Sequence, residues 1–453
     1  MSLMRSFLAI LVCAGIFLFG PSRIVSTLAV EGQSKAVSDQ SSPLTYVHCG
    51  TLIGGASQAA RKNAVIEIQN GKIKAILDAS SEAFKNRAAG SAFYDLRYAT
   101  CLPGLIDTHT HVLLQGDITA AQYDEQLLKW SVPYRTILAT QAARKALDYG
   151  FTTIRDLETE GAGYADVALR DAINRGVIPG PRMKVATRAL DVTGAYPLLG
   201  YSPEVPVPHG VQLVDGPDEG RKAVREQISN GADWIKVYVD RSYFVRLDGV
   251  LDDIPTFTPE ELHAIVDEAH RERHKVAAHA AAIRGVHNAV EAGVDSIEHG
   301  MYIADDDMKT MAARGIVYVP TLYVGEYVAE GRAAEGHPVW VQMVNIHADT
   351  FRKALKAGVK IAFGTDAGGF DWNTNPAKEF ALMVKYGMTP AQAIRAATQT
   401  AAELLEMSDE VGSIEPGKWA DIVAAPGDPL ADIQVLEHIK FVMKGGVVYQ
   451  NKE

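Results

Sequence analysis

Cysteine is scarce in this chain: three residues in 453, and no CxxC spacing among them. No thiolate metal motif is therefore available. Cys13 sits in the first apolar run and leaves with it if that run is removed. Cys49 and Cys101 remain, and two states are open to them, a disulfide in an oxidising compartment or two buried thiols. A basic excess is also missing. Lys and Arg total 44 against 55 Asp and Glu, a formal charge of −11. Phosphate backbones are bound by basic clusters, so nucleic acid is excluded as the main partner. An anionic small substrate is not, because a local Arg or a metal can hold one. There is no GxSxG nucleophile elbow and no P-loop, and Gly161-Ala162-Gly163 lacks the third glycine of a dinucleotide fingerprint.

Long hydrophobic runs are lacking too. The apolar run at 7–19 follows Arg5 and precedes Gly20-Pro21 and small residues at Thr27 and Ala29. It falls short of the roughly 20 residues that span a bilayer. A basic start, a short apolar stretch and small residues describe a secretory signal. The expectation is a signal peptide over 1–30 and a Ser/Gln/Gly-rich flexible leader over 31–43. The mature protein is then secreted or periplasmic, with no stable membrane insertion after cleavage.

What is present is a large soluble core. Hydrophobic residues make up 47% of the chain and charged ones 22%, and the length suits one large domain with a smaller one. Strand-like runs cluster at both ends. Asn70-Gly71 joins two of them with the residues that tolerate positive φ in a hairpin turn; Gly445-Gly446 does the same near the end. Segments 44–101 and 411–453 are expected to form one small β-sandwich domain built from both termini. Between them, over 102–410, short apolar runs alternate with amphipathic helices. Thr258-Pro259-Glu260-Glu261 is a capping box with proline at the first helical position, and Thr389-Pro390-Ala391-Gln392 repeats the device. Eight strand candidates, at 102–112, 151–157, 183–189, 234–239, 275–279, 296–299, 316–320 and 361–366, predict an α/β fold, a (β/α)8 TIM-type barrel. Its active site would lie at the C-terminal strand ends.

The sharpest motif is Leu105-Ile106-Asp107-Thr108-His109-Thr110-His111. Residues two apart on a strand share a face, so His109 and His111 present two imidazoles together. Other metal-ligand types close later strand candidates: His279, His299 and Asp366. Lys236 lies inside the apolar run Trp234-Ile235-Lys236-Val237-Tyr238, where an unmodified ammonium is costly. Neutral imidazole and carboxylate suit zinc and related divalent ions.

On these residues the chain resembles the amidohydrolase superfamily, in its imidazolonepropionase-like and Xaa-Pro-dipeptidase-like branch. The likeness runs from about residue 44 onward. It includes Gly104-Leu105-Ile106-Asp107 before the HxH pair and Gly412-Ser413-Ile414-Glu415-Pro416-Gly417-Lys418-Trp419-Ala420-Asp421-Ile422 near the end. The resemblance implies two divalent ions. His109, His111 and Asp366 would hold the first, His279 and His299 the second, and a carboxylated Lys236 would bridge them. It also implies a metal-bridging hydroxide as nucleophile, with Asp366 as general base and then acid.

Other residues carry secondary expectations. Tyr238 could donate to the substrate carbonyl, and Arg284 could clamp a substrate carboxylate. Relatives often carry Thr-Gly-Gly-His where this chain has Thr193-Gly194-Ala195-Tyr196, which makes Tyr196 a candidate substrate contact. The Pro-rich stretch 197–208 could form a lid, and Phe370-Asp371-Trp372 could line an apolar leaving-group pocket. The expected activity is hydrolysis of an amide or peptide bond in a dipeptide or N-acyl amino acid. The alternative is a deaminase or cyclic-amide hydrolase acting on a heterocycle, whose mononuclear members usually lack the bridging lysine. A small-molecule amide or peptide is the expected partner, and a homo-oligomer is left open.

Overall fold

A computed structural model describes residues 43–55, 59–196 and 200–452. The expected signal peptide, nearly all of the leader, and Cys13 lie outside the described residues. Strands are numbered in chain order. Near the start come β1 (Thr45–Leu52), β2 (Arg61–Gln69), β3 (Lys72–Asp78) and β4 (Ala92–Pro103). The middle carries β5 (Leu105–Thr110), β6 (Phe151–Asp156), β7 (Arg182–Val185), β8 (Leu190–Asp191), β9 (Gln212–Leu213), β10 (Trp234–Tyr238), β11 (Asp240–Val245), β12 (Leu251–Pro255), β13 (Lys275–Ala280), β14 (Ser296–His299) and β15 (Val317–Val319). Near the end lie β16 (Ile422–Pro426), β17 (Phe441–Lys444) and β18 (Val447–Asn451).

Both ends of the chain build one seven-stranded sheet, in the order β18-β17-β16-β4-β1-β2-β3. The turn residues behave as their chemistry requires. Asn70 and Gly71 take φ of 53° and 74° between β2 and β3, the geometry a tight hairpin needs. A Cβ on Gly71 would also stand 2.6 Å from the Gly445 carbonyl oxygen, so the two hairpin turns meet closely. Val47, Ile66, Ile73, Ile422 and Phe441 share one buried cluster. Cys49 of β1 and Cys101 of β4 form a disulfide, which resolves the alternative left open by the sequence.

The middle of the chain is mixed α/β. Strands β5, β6 and β7 pair in parallel, and β10, β13, β14 and β15 pair in parallel in a second sheet. Asp233 N donates to Val185 O at 2.7 Å, linking the end of β7 to the start of β10. The expected strand 361–366 is irregular: it is joined to its neighbours by isolated bridges from Ile361 to Tyr318 and from Ala367 to Thr110 and by single backbone hydrogen bonds such as Thr108 N to Phe363 O at 3.0 Å. The expected run 102–112 is two strands, one in each sheet system. They divide at Gly104, where a Cβ would sit 2.1 Å from Thr152 Oγ1.

The helices follow their signals. The helix Pro259–Arg271 begins with the Thr258 capping box and buries Leu262, Ile265, Val266 and Ala269. Each of its larger apolar side chains contributes roughly 1.5–3 kcal/mol by leaving water. Thr389 caps Pro390–Arg395 in the same way. The antiparallel hairpin β11–β12 was not expected; it follows β10 directly. Among the described residues no helix is long and apolar enough to cross a membrane.

Candidate metal centre

The side chains that converge at the strand ends are delivered by backbone constraints. Asp107 ties β5 to the irregular segment beside it: its Oδ1 accepts from His109 N at 3.0 Å and Thr365 N at 3.1 Å, and its Oδ2 from Thr365 Oγ1 at 2.5 Å. Asp366 N then donates to His109 O at 2.7 Å. Asp366 and His299 hold φ of 61° and 70°, in the left-handed region that costs a non-glycine residue on the order of 1–3 kcal/mol. Both strained residues aim a ligand-type side chain into the same space.

The distances bring the predicted ligands together. His111 Nε2 lies 3.1 Å from Asp366 Oδ1 and 3.3 Å from His109 Nε2. His109 Nε2 is 3.5 Å from the same Asp366 oxygen. The His299 ring centroid is 5.0 Å from that of His109 and 4.5 Å from that of His279. The outer ring nitrogens are occupied. Glu298 Oε2 takes His109 Nδ1 at 2.7 Å, Thr321 Oγ1 meets His299 Nδ1 at 2.8 Å, and Tyr243 OH meets His279 Nε2 at 2.8 Å. The second ring nitrogens are His109 Nε2, which meets His111 Nε2 and Asp366 Oδ1, together with His299 Nε2 and His279 Nδ1.

Lys236 is 1% exposed, and among the described residues its Nζ has no hydrogen-bond partner. Burial drives its pKa down, against the pull of Glu298 and Glu158. The His109 imidazole is pushed down to about 4 by burial and by Lys236, and His279 and His299 fall well below the usual range for the same first reason. Neutral imidazoles are what a metal requires. Burial raises Asp366, but His109, His111 and Lys236 outweigh it and hold the carboxylate below its ordinary pKa. His109, His299 and Asp366 each offer one donor atom within 4.8 Å of the others. This donor set, with an orphaned amine inside it, fits divalent metal ions.

Above the cluster lies a pocket of about 300 Å³, lined among others by His111, His279, His299, Asp366, Tyr196 and Tyr238. Tyr238 is on the wall, but its phenol donates to Glu158 Oε2 at 2.6 Å. Its hydroxyl also meets Tyr196 OH at 3.1 Å. Tyr196 reaches Glu160 Oε2 at 2.9 Å. Arg284 does not line the pocket: its Nε is paired with Asp252 Oδ1 at 2.7 Å. Its position five residues after His279 puts it in the helix Ile283–Ala292, which carries it away from the strand end. Phe370 and Trp372 are core residues, 0% and 2% exposed, and do not line the pocket. Of the Pro-rich stretch, residues 197–199 are not described. Tyr201 is exposed and hydrogen-bonds Asp124.

The family model described as "Amidohydrolase family" matches residues 100–449, a span that contains every one of these ligand candidates. The chain belongs to the amidohydrolase family. An ochratoxinase of Aspergillus niger is 31% identical over 449 residues, covering 91% of this chain and 88% of the relative. A solved Xaa-Pro dipeptidase with methionine bound in its active site is 38% identical at a TM-score of 0.79, covering 90% of this chain and 100% of that one. An imidazolonepropionase of Geobacillus kaustophilus is 26% identical over 424 residues, covering 86% of this chain and 91% of the relative. As an amidohydrolase the protein is a hydrolase acting on C–N bonds.

Several residues around this amidohydrolase centre escaped the sequence reading. Glu158 and Glu160 follow β6 and are buried beside His111, whose Nδ1 is 3.7 Å from Glu160 Oε1. Their signal was acidic residues two apart directly after an apolar run. Glu298, next to His299, was visible as sequence but not as the partner of His109. Tyr243 and Arg241 lie on the unexpected hairpin, which no periodicity marked.

Proposed function

We propose that the protein hydrolyses the amide or peptide bond of a small substrate, a dipeptide or N-acyl amino acid, at a binuclear metal centre. The observation that carries this reading is Lys236: fully buried, without a hydrogen-bond partner among the described residues, and set among four histidines and Asp366. An ammonium there is poorly accommodated. A lowered pKa leaves the amine free to add CO2, and the resulting carbamate is the anion that a site between two cations calls for. His109, His111 and Asp366 would hold one ion, His279 and His299 the other, with Lys236 between them. Zinc suits this nitrogen-rich donor set.

Two such ions would polarise the scissile carbonyl and acidify a water. The chain supplies the rest. The Asp366 carboxylate, kept ionised by its neighbours, accepts the proton of the attacking water and returns it to the leaving nitrogen. Glu298 and Thr321 fix the His109 and His299 rings through their outer nitrogens. Tyr196 and Tyr238 wall the pocket, their hydroxyls held by Glu160 and Glu158.

Three further readings accompany this one. The parallel strands β5, β6, β7, β10, β13, β14 and β15, with 361–367 bridged to β5 and β15, would make the eight staves of a closed (β/α)8 barrel, with the sheet of both termini as the accompanying β-sandwich. The Cys49–Cys101 disulfide supports residence in an oxidising compartment, in keeping with a secretory signal at 1–30. Dipeptide scavenging outside the cytoplasm fits that location.

The test is a screen of metal-loaded protein against L-dipeptides, N-acetyl-L-amino acids and heterocyclic amides and amines, with Asp366→Asn as control. Turnover of the first two classes, reduced at least about a thousandfold by Asp366→Asn with folding retained, is expected. Activity confined to the heterocycles, or a fully active Asp366→Asn protein, overturns the reading.

A further inference from the structure

We propose that Arg241 binds the free carboxylate of the substrate, and so restricts the pocket to amides whose leaving group is an amino acid with its carboxylate unblocked. The inference rests on the amide-hydrolase reading above and deepens it.

Arg241 is the second residue of β11, in the hairpin that begins directly after β10, the strand of Lys236 and Tyr238. It lines the same pocket as His279, His299 and Asp366. The hairpin is anchored at the metal cluster by Tyr243, whose hydroxyl is 2.8 Å from His279 Nε2. Arg241 itself is not anchored. Its Nε is buried and has no hydrogen-bond partner among the described residues. Its Nη1 makes one long contact, 3.4 Å to Gly194 O. Among the described residues no carboxylate stands within ion-pair distance of it.

The other guanidinium groups nearby stand beside carboxylates, although Arg332, like Arg241, keeps a buried Nε without a partner among the described residues. Arg332, also on the pocket wall, gives Nη2 to Asp117 O at 2.6 Å and to Asp117 Oδ2 at 3.2 Å. Arg284, outside the pocket, is paired with Asp252. A guanidinium presents five donors in a planar fork, and leaving a buried donor unmatched is costly. A carboxylate is the ligand whose two oxygens match that fork and whose charge it balances. In a dipeptide or an N-acyl amino acid, the carboxylate sits on the leaving amino acid, one carbon from the scissile nitrogen. Neutral heterocyclic amides offer Arg241 nothing equivalent.

The experiment uses the full-length, metal-replete enzyme. The best substrate from a panel of L-dipeptides and N-acetyl-L-amino acids is compared with its own C-terminal carboxamide, and the ratio of kcat/KM values is read. Loss of a charge-assisted pair of this kind is expected to cost about tenfold or more. The wild-type ratio should therefore be at least about ten in favour of the carboxylate, carried mainly by KM. Arg241→Met should bring the ratio to about one, and Arg241→Lys should fall between. A wild-type ratio near one overturns the assignment with no variant needed, and so does a ratio that Arg241→Met leaves as it was. If nothing on the panel is cleaved, the amide-hydrolase reading falls and takes this assignment with it. That result is distinct from equal cleavage of both forms, which removes the role of Arg241 alone.

Discussion

His109 Nδ1 lies 2.7 Å from Glu298 Oε2, and neither side chain is exposed to solvent. The other Glu298 oxygen accepts from Arg155 Nη2 at 2.8 Å, and that guanidinium is equally buried. Arg155 and His109 hold Glu298 down to about pKa 2 against the cost of burial. A carboxylate pinned in this way fixes the His109 tautomer with Nε2 facing the other ligands. Glu298→Gln should weaken metal binding by about 10- to 100-fold, read by titration against a competing chelator. Unchanged affinity in a folded variant would remove Glu298 as the positioning group.

Lys236→Met should leave the surrounding core packing intact and lower the bound metal from the two ions of the proposed centre to one or none. Elemental analysis of dialysed protein measures this. An intact-mass measurement under native, neutral conditions should also show about 44 Da on the wild type that acid removes, the signature of a carbamate. Two ions retained by Lys236→Met would contradict the bridging role.

The Cys49–Cys101 bridge joins residues 52 apart in sequence. A loop of that length restricts the unfolded chain enough to stabilise the fold by roughly 4 kcal/mol. Cys49→Ser with Cys101→Ser should lower the Tm by several degrees, and a reducing agent should do the same to the wild type alone. Equal Tm values for oxidised and reduced wild type would show that the bridge adds nothing.

Glu268 sits between Arg225, whose Nε is 2.7 Å away, and Arg271. Its hydrogen bonds to these two guanidinium groups lower its pKa from 4.5 to about 2. Because the folded value is the lower one, the folded state binds fewer protons, and its stabilising effect is complete above about pH 4.5. It declines as the pH falls through 4.5 toward 2. Glu268→Gln should therefore melt below the wild type at pH 7, with the gap narrowing steadily between pH 5 and pH 3. A gap independent of pH would show that the loss is one of shape and not of charge. Both arginines are more than half exposed, so a small gap is expected.

Much of this protein was legible in its sequence because the signals are local. Asn70-Gly71 forms its hairpin turn, and Thr258 and Thr389 form their capping boxes, because each uses contacts within four residues. The ligand types His109, His111, Lys236, His279, His299 and Asp366 were readable because each closes or interrupts an apolar run. Arg284 shows the limit. Linear distance from His279 suggested a pocket residue, but the helix turns that guanidinium toward Asp252. Phe370 and Trp372 likewise went to the core, since large apolar groups next to a polar site gain most by leaving it.

The sequence by itself determined which residue types stand at or near the strand ends, and with them a donor set that suits divalent metal ions, because donor character is a property of side-chain type and local spacing. Only the tertiary structure decided which partner each of them meets. Glu298 lies 189 residues from His109, Tyr238 meets a glutamate 80 residues away, and Arg241 has no carboxylate within ion-pair distance among the described residues, in a pocket built by distant segments. Pairing of buried charges is set by three-dimensional proximity in a medium of low dielectric, where the partner that is present or missing outweighs any local preference.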